Sequence, residues 1–180
     1  MKALQLPGGA LTHFTRSRAG ASALDSLAAI LRGQVIRASR RMVRGGTSVV
    51  CLFDLRLEEL KELLKPANRR RYQPCGLAID RRYAFMRGAR PVIYLPAGEA
   101  QRLLAAQELW RAVSLDLAAP PGVDWTFERE WRLPGDLVLC PSQTVVLVES
   151  WRDADEVYER FDGQPPCAGV IPLRGIFSAP

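Results

Sequence analysis

The densest chemistry in the chain lies at Trp125-Thr126-Phe127-Glu128-Arg129-Glu130-Trp131-Arg132, where two carboxylates, two guanidinium groups and three aromatic rings fall within eight residues. Read as an extended strand, whose side chains alternate between faces, the stretch points Glu128, Glu130 and Arg132 one way and Arg129 and Trp131 the other. Two carboxylates on one face raise the proton affinity of one member or bind polyol hydroxyls, unless Arg132 neutralises them. Glu128 and Glu130 are therefore the candidate catalytic groups, and Trp131 reads as core. The plain alternative is an edge strand whose charges are solvated and cross-paired.

A second group of reactive residue types is sparse. His13 is the single histidine, inside the run Leu11-Thr12-His13-Phe14-Thr15. A Ser-His-Asp or Cys-His hydrolase would need it as base, but no GxSxG elbow accompanies it. Its plain alternative is a half-buried histidine bonded to backbone. Cys51, Cys75, Cys140 and Cys167 lie far apart without a CxxC and read as reduced thiols, so a zinc site built from His and Cys is not supported and no metal is expected. The net charge of +6 comes almost wholly from arginine, whose planar fork suits phosphate, so an anionic partner is expected, a nucleic acid or a phosphorylated cofactor. Arginines gather at Arg37, Arg40, Arg41 and Arg44 and again at Asn68-Arg69-Arg70-Arg71-Tyr72; each group reads either as a solvated connection or as a phosphate grip. No GxGxxG and no GxxxxGK[ST] occurs.

The elements that must hold these groups are short. Leu11 to Thr15 reads as a first strand, and Ser22 to Arg32 as an amphipathic helix with a Ser22/Asp25 capping box and Gly33 as its stop. Gln34 to Ser39, Thr47 to Phe53, Cys75 to Asp80 and Pro91 to Leu95 read as strands, with a helix over Leu55 to Leu64. Gly98 to Val113 has the composition of a long helix. Leu137 to Cys140 and Thr144 to Val148 look like paired strands, followed by a short helix over Asp153 to Phe161. At 180 residues the chain is expected to be one α+β domain on a mixed or largely antiparallel sheet. Its core spans about 11–150, and 151–180 holds a short helix and an irregular, proline-containing tail. No run of 18 apolar residues is present, and Met1 to Gly9 lacks the apolar region of a signal peptide, so no membrane span and a cytoplasmic location are expected.

Taken in order, Leu-Thr-His-Phe-Thr at 11 to 15, the helix ending in Ile-Leu-Arg-Gly, Val-Val-Cys-Leu-Phe at 49 to 53, Pro-Val-Ile-Tyr at 91 to 94 and Glu-Arg-Glu-Trp-Arg at 128 to 132 resemble the motifs of the ADP-ribosyltransferase-like superfamily. The likeness is to AbiGi-type abortive phage infection proteins and, more distantly, to DarT-type DNA ADP-ribosyltransferases, over residues 11 to 140. The resemblance implies a split sheet flanked by short helices and NAD as substrate. It implies that His13 bonds a ribose hydroxyl with Thr15 beside it, that Arg16 or Arg18 holds the pyrophosphate, and that one of Phe53, Tyr72, Tyr83 and Tyr94 stacks on the nicotinamide. Glu130 then stabilises the cation formed as nicotinamide leaves, and Glu128 orients or activates the acceptor. The function implied is a toxin or phage-defence effector that modifies a nucleic acid or a protein, with a cognate antitoxin as a partner. Two other readings compete: a binding module of this fold without catalysis, antitoxin-like or sensory, and a small metal-dependent nuclease or RNA-binding protein in which Glu128, Glu130 and an aspartate hold a divalent ion.

Overall fold

A computed structural model describes residues 9–118 and 120–174. The expected absence of a leader at Met1 to Gly8 and the end of the tail, Pro180 included, lie outside the described residues. In chain order the strands are β1 (Ala10–Phe14), β2 (Val35–Ile36), β3 (Val49–Phe53), β4 (Gly76–Asp80), β5 (Arg90–Pro91), β6 (Ile93–Leu95), β7 (Ala112–Ser114), β8 (Glu130–Pro134), β9 (Leu137–Val138), β10 (Thr144–Val148) and β11 (Gly169–Pro172). The helices are α1 (Ala23–Gly33), α2 (Leu57–Leu63), α3 (Arg81–Met86), α4 (Ala97–Leu103) and α5 (Trp151–Glu159).

The fold is mixed α+β, as expected, on a mainly antiparallel sheet of seven strands in the order β11-β10-β4-β1-β3-β8-β5. Only the edge pairing of β11 with β10 is parallel within it. Two small sheets, β2 with β9 and β6 with β7, stand beside the large one. The near-continuous apolar runs of β3, β4 and β10 fit strands covered on both faces. Gly76 has a specific duty at the middle of the sheet. A Cβ there would stand 2.1 Å from the carbonyl oxygen of His13, so only glycine lets β4 approach β1 this closely.

Each face of the sheet carries its own core. On one, Leu27 and Leu31 of α1 and Ala154 and Val157 of α5 cover Leu11, Leu52, Leu77 and Val146. On the other, Leu60, Leu63 and Leu64 pack with Tyr72 over Ala78, Val145 and Leu147. The helices are fixed by sequence-local devices. Ser22 and Asp25 form the capping box of α1, Ser150 and Asp153 that of α5, and the Asp80 side chain caps α3.

Four expectations are corrected. The long helix over 98 to 113 is broken: α4 stops at Leu103, Leu104 turns extended, and a 3₁₀ turn over Ala106–Arg111 delivers β7 to pair with β6. Ala100, Leu104, Leu95 and Ala112 form the small core that rewards this turn. Leu137 to Cys140 and Thr144 to Val148 are not partners; β9 pairs with β2, and β10 lies between β4 and β11. The tail expected to be irregular supplies the edge strand β11. The stretch from Trp125 to Arg132 is a strand only from Glu130 onward. Among the described residues no helix is long and apolar enough to cross a membrane.

Candidate functional site

The strand β8 turns Glu130 and Arg132 onto the same face, where the pair is buried. Arg132 Nε donates to Glu130 Oε1 at 2.8 Å and Nη2 donates to Oε2 at 3.2 Å. The remaining guanidinium nitrogen donates to the Trp110 carbonyl at 2.7 Å and to the Ala112 carbonyl at 3.3 Å. Every edge of Arg132 is thus engaged, the condition under which a buried ion pair is tolerated. The backbone N–H of Glu130 donates to the Tyr94 hydroxyl at 2.9 Å, which brings that ring to the cluster from β6. Cys51 of β3, opposite Arg132 in register, is pushed up to about 12 by burial first and then by the charge of Glu130 and a hydrogen bond to it.

Glu128 reaches the same place by a different backbone. It ends a 3₁₀ turn over Thr126–Glu128, and Arg129 follows in the left-handed region at φ 42°. That conformation is strained for a residue with a side chain. It is held because Arg129 Nε donates to the Asp54 carbonyl at 2.7 Å and the guanidinium pairs with Glu59. Glu128 is buried, and its Oε1 accepts from the Tyr72 hydroxyl and, at 3.0 Å, from Arg71 Nη2. Arg71 Nε also donates to the Tyr72 hydroxyl at 2.7 Å, and its guanidinium lies 4.0 Å from the centre of the Trp125 ring. Burial raises the proton affinity of Glu128, with a further push from Glu130; the bond from Tyr72 and the charge of Arg71 oppose it. Burial likewise raises the Tyr72 and Tyr94 hydroxyls above their ordinary range.

The candidate residues divide between the two faces. Thr12 stands opposite Phe53, and Phe53 opposite Glu130, so these three share a face. Phe14, Phe53 and Tyr72 form a ring cluster there with centroids 5.6 to 6.0 Å apart. The structure therefore brings Glu128, Glu130, Phe53 and Tyr72 together. His13, one residue from Thr12, faces the other way, and Trp131 packs on that opposite core. His13 Nδ1 lies 2.9 Å from the Cys51 carbonyl, and burial, with the charges of Arg16 and Arg18, lowers its proton affinity. Thr15 spends its hydroxyl on the backbone carbonyls of Ala23 and Cys75, at 2.9 and 3.1 Å. Arg16 is exposed beyond the end of β1, where its carbonyl accepts from Ser26 of α1 at 3.1 Å, and Tyr83 of α3 donates to the Val138 carbonyl at 2.8 Å. His13, Thr15, Arg16 and Tyr83 are thus not gathered with the glutamates.

Three members of the cluster were not assigned from sequence. Arg71 belongs to the basic run at 68 to 72, but nothing local shows which of its arginines meets Glu128. Phe14 and Cys51 look like core, and only the strand register places them. Arg132, the alternative neutraliser of the carboxylate pair and an alternative partner for Glu128, pairs with Glu130, and Glu128 takes Arg71 instead. Among the described residues, no three or more His, Cys, Asp or Glu side chains are gathered as metal ligands, and each glutamate already carries a guanidinium. A cleft of about 460 Å³ opens elsewhere, between the starts of α1 and α5, lined by Ser17, Leu24, Arg69, Gln73 and Glu149 among others. It holds none of the cluster residues, and the chemistry of the side chains, rather than the size of an opening, locates the candidate site.

The cluster combines a carboxylate with raised proton affinity, a second carboxylate fixed by a guanidinium, two tyrosines and an adjoining aromatic group. Such a set can take up a proton and can stabilise positive charge developing in a desolvated place. Comparison with known protein families, curated proteins and solved structures finds no match for this chain.

Proposed function

We propose that the chain is an NAD-dependent ADP-ribosyltransferase acting through Glu128 and Glu130. The observation that carries the reading is that two glutamates, two residues apart, are both buried in one cluster beside the Phe14, Phe53 and Tyr72 rings. Buried carboxylates are costly and concentrate where their charge or proton is used. In the reaction, the bond between the ribose carbon and the nicotinamide nitrogen breaks, and its electron pair leaves with nicotinamide. In this reading Glu130, oriented by Arg132, stabilises the resulting cation. The acceptor's nucleophilic atom bonds to the ribose carbon and gives up its proton, for which Glu128 is the base. The aromatic group supplies a surface for the nicotinamide ring. The arginine-rich surface suits an anionic acceptor, a nucleic acid in preference to a protein, and a toxin or phage-defence role follows from such a modification.

Two observations favour a second reading, a binding module of this fold without catalysis. Both oxygens of Glu130 are engaged by Arg132, and His13 faces away from the glutamates. Release of nicotinamide from NAD separates the two. The transferase reading expects release by the wild-type protein and a loss of at least about a hundredfold in Glu128→Gln and in Glu130→Gln. It also expects NAD to raise the melting temperature. The absence of both nicotinamide release and a thermal shift at saturating NAD would falsify the transferase reading.

A further inference from the structure

Three consecutive arginines leave the turn after α2 with three different fates. Arg69 is pinned by a bidentate pair with Glu149, at 2.8 and 2.9 Å. Arg70 is exposed, with no charged partner among the described residues. Arg71 reaches inward, and its contacts are unlike those of a structural pin. It meets Glu128 through a single nitrogen at 3.0 Å, shares the Tyr72 hydroxyl, and lies over the Trp125 ring. Its side chain is 42% exposed while that of Glu128 is 4% exposed. The guanidinium is therefore a cover at the boundary between the buried carboxylate and solvent.

The charges of the cluster make the cover meaningful. With Arg71 in place, Glu128 and Glu130 are balanced by Arg71 and Arg132. If Arg71 moves away, the carboxylate of Glu128 is uncovered and its proton affinity rises in a desolvated place, which is what the base for the acceptor's proton requires. Arg71 can leave at modest cost, because its side chain is already 42% exposed and its fork makes stronger, paired bonds to a phosphate than its single bond to Glu128. Arg132 has no such freedom, since backbone carbonyls hold its third nitrogen.

We infer that Arg71 is a latch, a guanidinium that covers Glu128 in the free protein and is drawn off by the phosphate groups of the incoming ligand. This rests on the transferase reading and assigns to Arg71, rather than to Arg16, the contact with the anionic part of the substrate. Binding and unmasking become one event: the group that holds the ligand is the group whose departure uncovers the base. Trp125 is the platform on which the guanidinium waits, and its indole reports the departure.

The test follows Trp125 fluorescence during titration with ADP-ribose and, separately, with inorganic pyrophosphate, with affinities measured by calorimetry. The wild type is expected to give a saturable change that Trp125→Phe lacks. Arg71→Gln is expected to bind ADP-ribose about tenfold more weakly, the scale of a charge-assisted bond. Arg71→Lys keeps the charge without the fork or the stack and is expected to fall between, which guards against a folding defect in the first variant. Glu128→Gln, which holds the guanidinium less firmly, is expected to bind more tightly than wild type. Nicotinamide release that is intact while Arg71→Gln binds ADP-ribose as well as wild type overturns the latch and leaves the transferase reading standing. Binding of pyrophosphate that depends on Arg71, without any nicotinamide release, sinks the transferase reading and supports the latch as an anion grip. Binding of neither probe, or tight binding with no Trp125 response, overturns the latch.

Discussion

The Glu130–Arg132 pair and the Glu128–Arg71 pair share one face of the sheet and differ in how their cations arrive. Arg132 lies two residues along the same strand, with side-chain exposures of 6% and 7% for cation and anion, and backbone carbonyls close the rest of its fork. Arg71 comes from a loop 57 residues distant, and its side chain stays 42% exposed. The first pair is fixed by a strand's own geometry, so it belongs to the framework. The second depends on a loop and a stacking contact, so it can open without dismantling the sheet. Two ion pairs of similar length therefore have different duties, and burial of the cation decides which is which.

The largest expected effect comes from breaking the interior pair. Arg132→Met leaves Glu130 buried without its cation and should lower unfolding stability by about 3–5 kcal/mol, read by urea denaturation. Replacing both members, Glu130→Leu with Arg132→Met, should recover most of that loss, because the uncompensated charge disappears with its partner. Equal losses in the single and double variants would mean that the pair is not coupled, and the distinction between the two pairs would fail.

Arg71→Gln sharpens the same comparison from the other side. Its cation is 42% exposed, so solvent already weakens the attraction, and the expected loss of stability is about 1 kcal/mol or less. Glu128 can also take up a proton when the cation is removed, since burial already raises its proton affinity. A loss as large as that of Arg132→Met would place both pairs in the framework.

How much of this was legible before the structure depends on how local the cause is. The α1 helix was readable from the Ser22 and Asp25 capping box because that signal is local, whereas its left-handed stop is Gln34 and not the expected Gly33, which is the last helical residue. The strands β3, β4 and β10 were readable from unbroken apolar runs. The common face of Glu130 and Arg132, with Trp131 opposite, followed from strand alternation. Glu128 was expected on that face as part of the same strand; it gets there through a 3₁₀ turn and a left-handed Arg129, held by Asp54 and Glu59. The separation of His13 from the glutamates was not readable, because alternation ranks faces only within one strand. The register linking Thr12, Phe53 and Glu130 across three strands decides it. The breaks in the 98 to 113 segment were likewise hidden, since Leu104 turns to meet a small core that the sequence does not announce.

The smallest effect is a pH dependence, and its sign distinguishes the two kinds of carboxylate in the molecule. Glu128 has its pKa raised above the ordinary 4.5, so the folded state holds the proton more tightly than the unfolded chain. Its contribution is favourable at low pH and is lost as the pH climbs from 4.5 through the raised value. Asp25, Glu59 and Glu149 run the other way. Hydrogen bonds from Ser22, Arg129 and Arg69 respectively hold them at about 2, so their contribution is present above the ordinary carboxylate range and is lost as the pH falls toward 2. Urea unfolding across a pH series should therefore give a wild-type curve that declines relative to Glu128→Gln above pH 4.5. Below that point the two curves should run parallel and both should lose stability toward pH 2. Arg71→Gln should shift the decline to higher pH, because removing the cation takes away one of the interactions that favour ionised Glu128. If wild type and Glu128→Gln instead run parallel above pH 4.5, folding does not raise the proton affinity of Glu128, and its carboxylate is ionised beneath Arg71 as in the unfolded chain. The carboxylate beneath Arg71 would then be as fixed as the one beside Arg132.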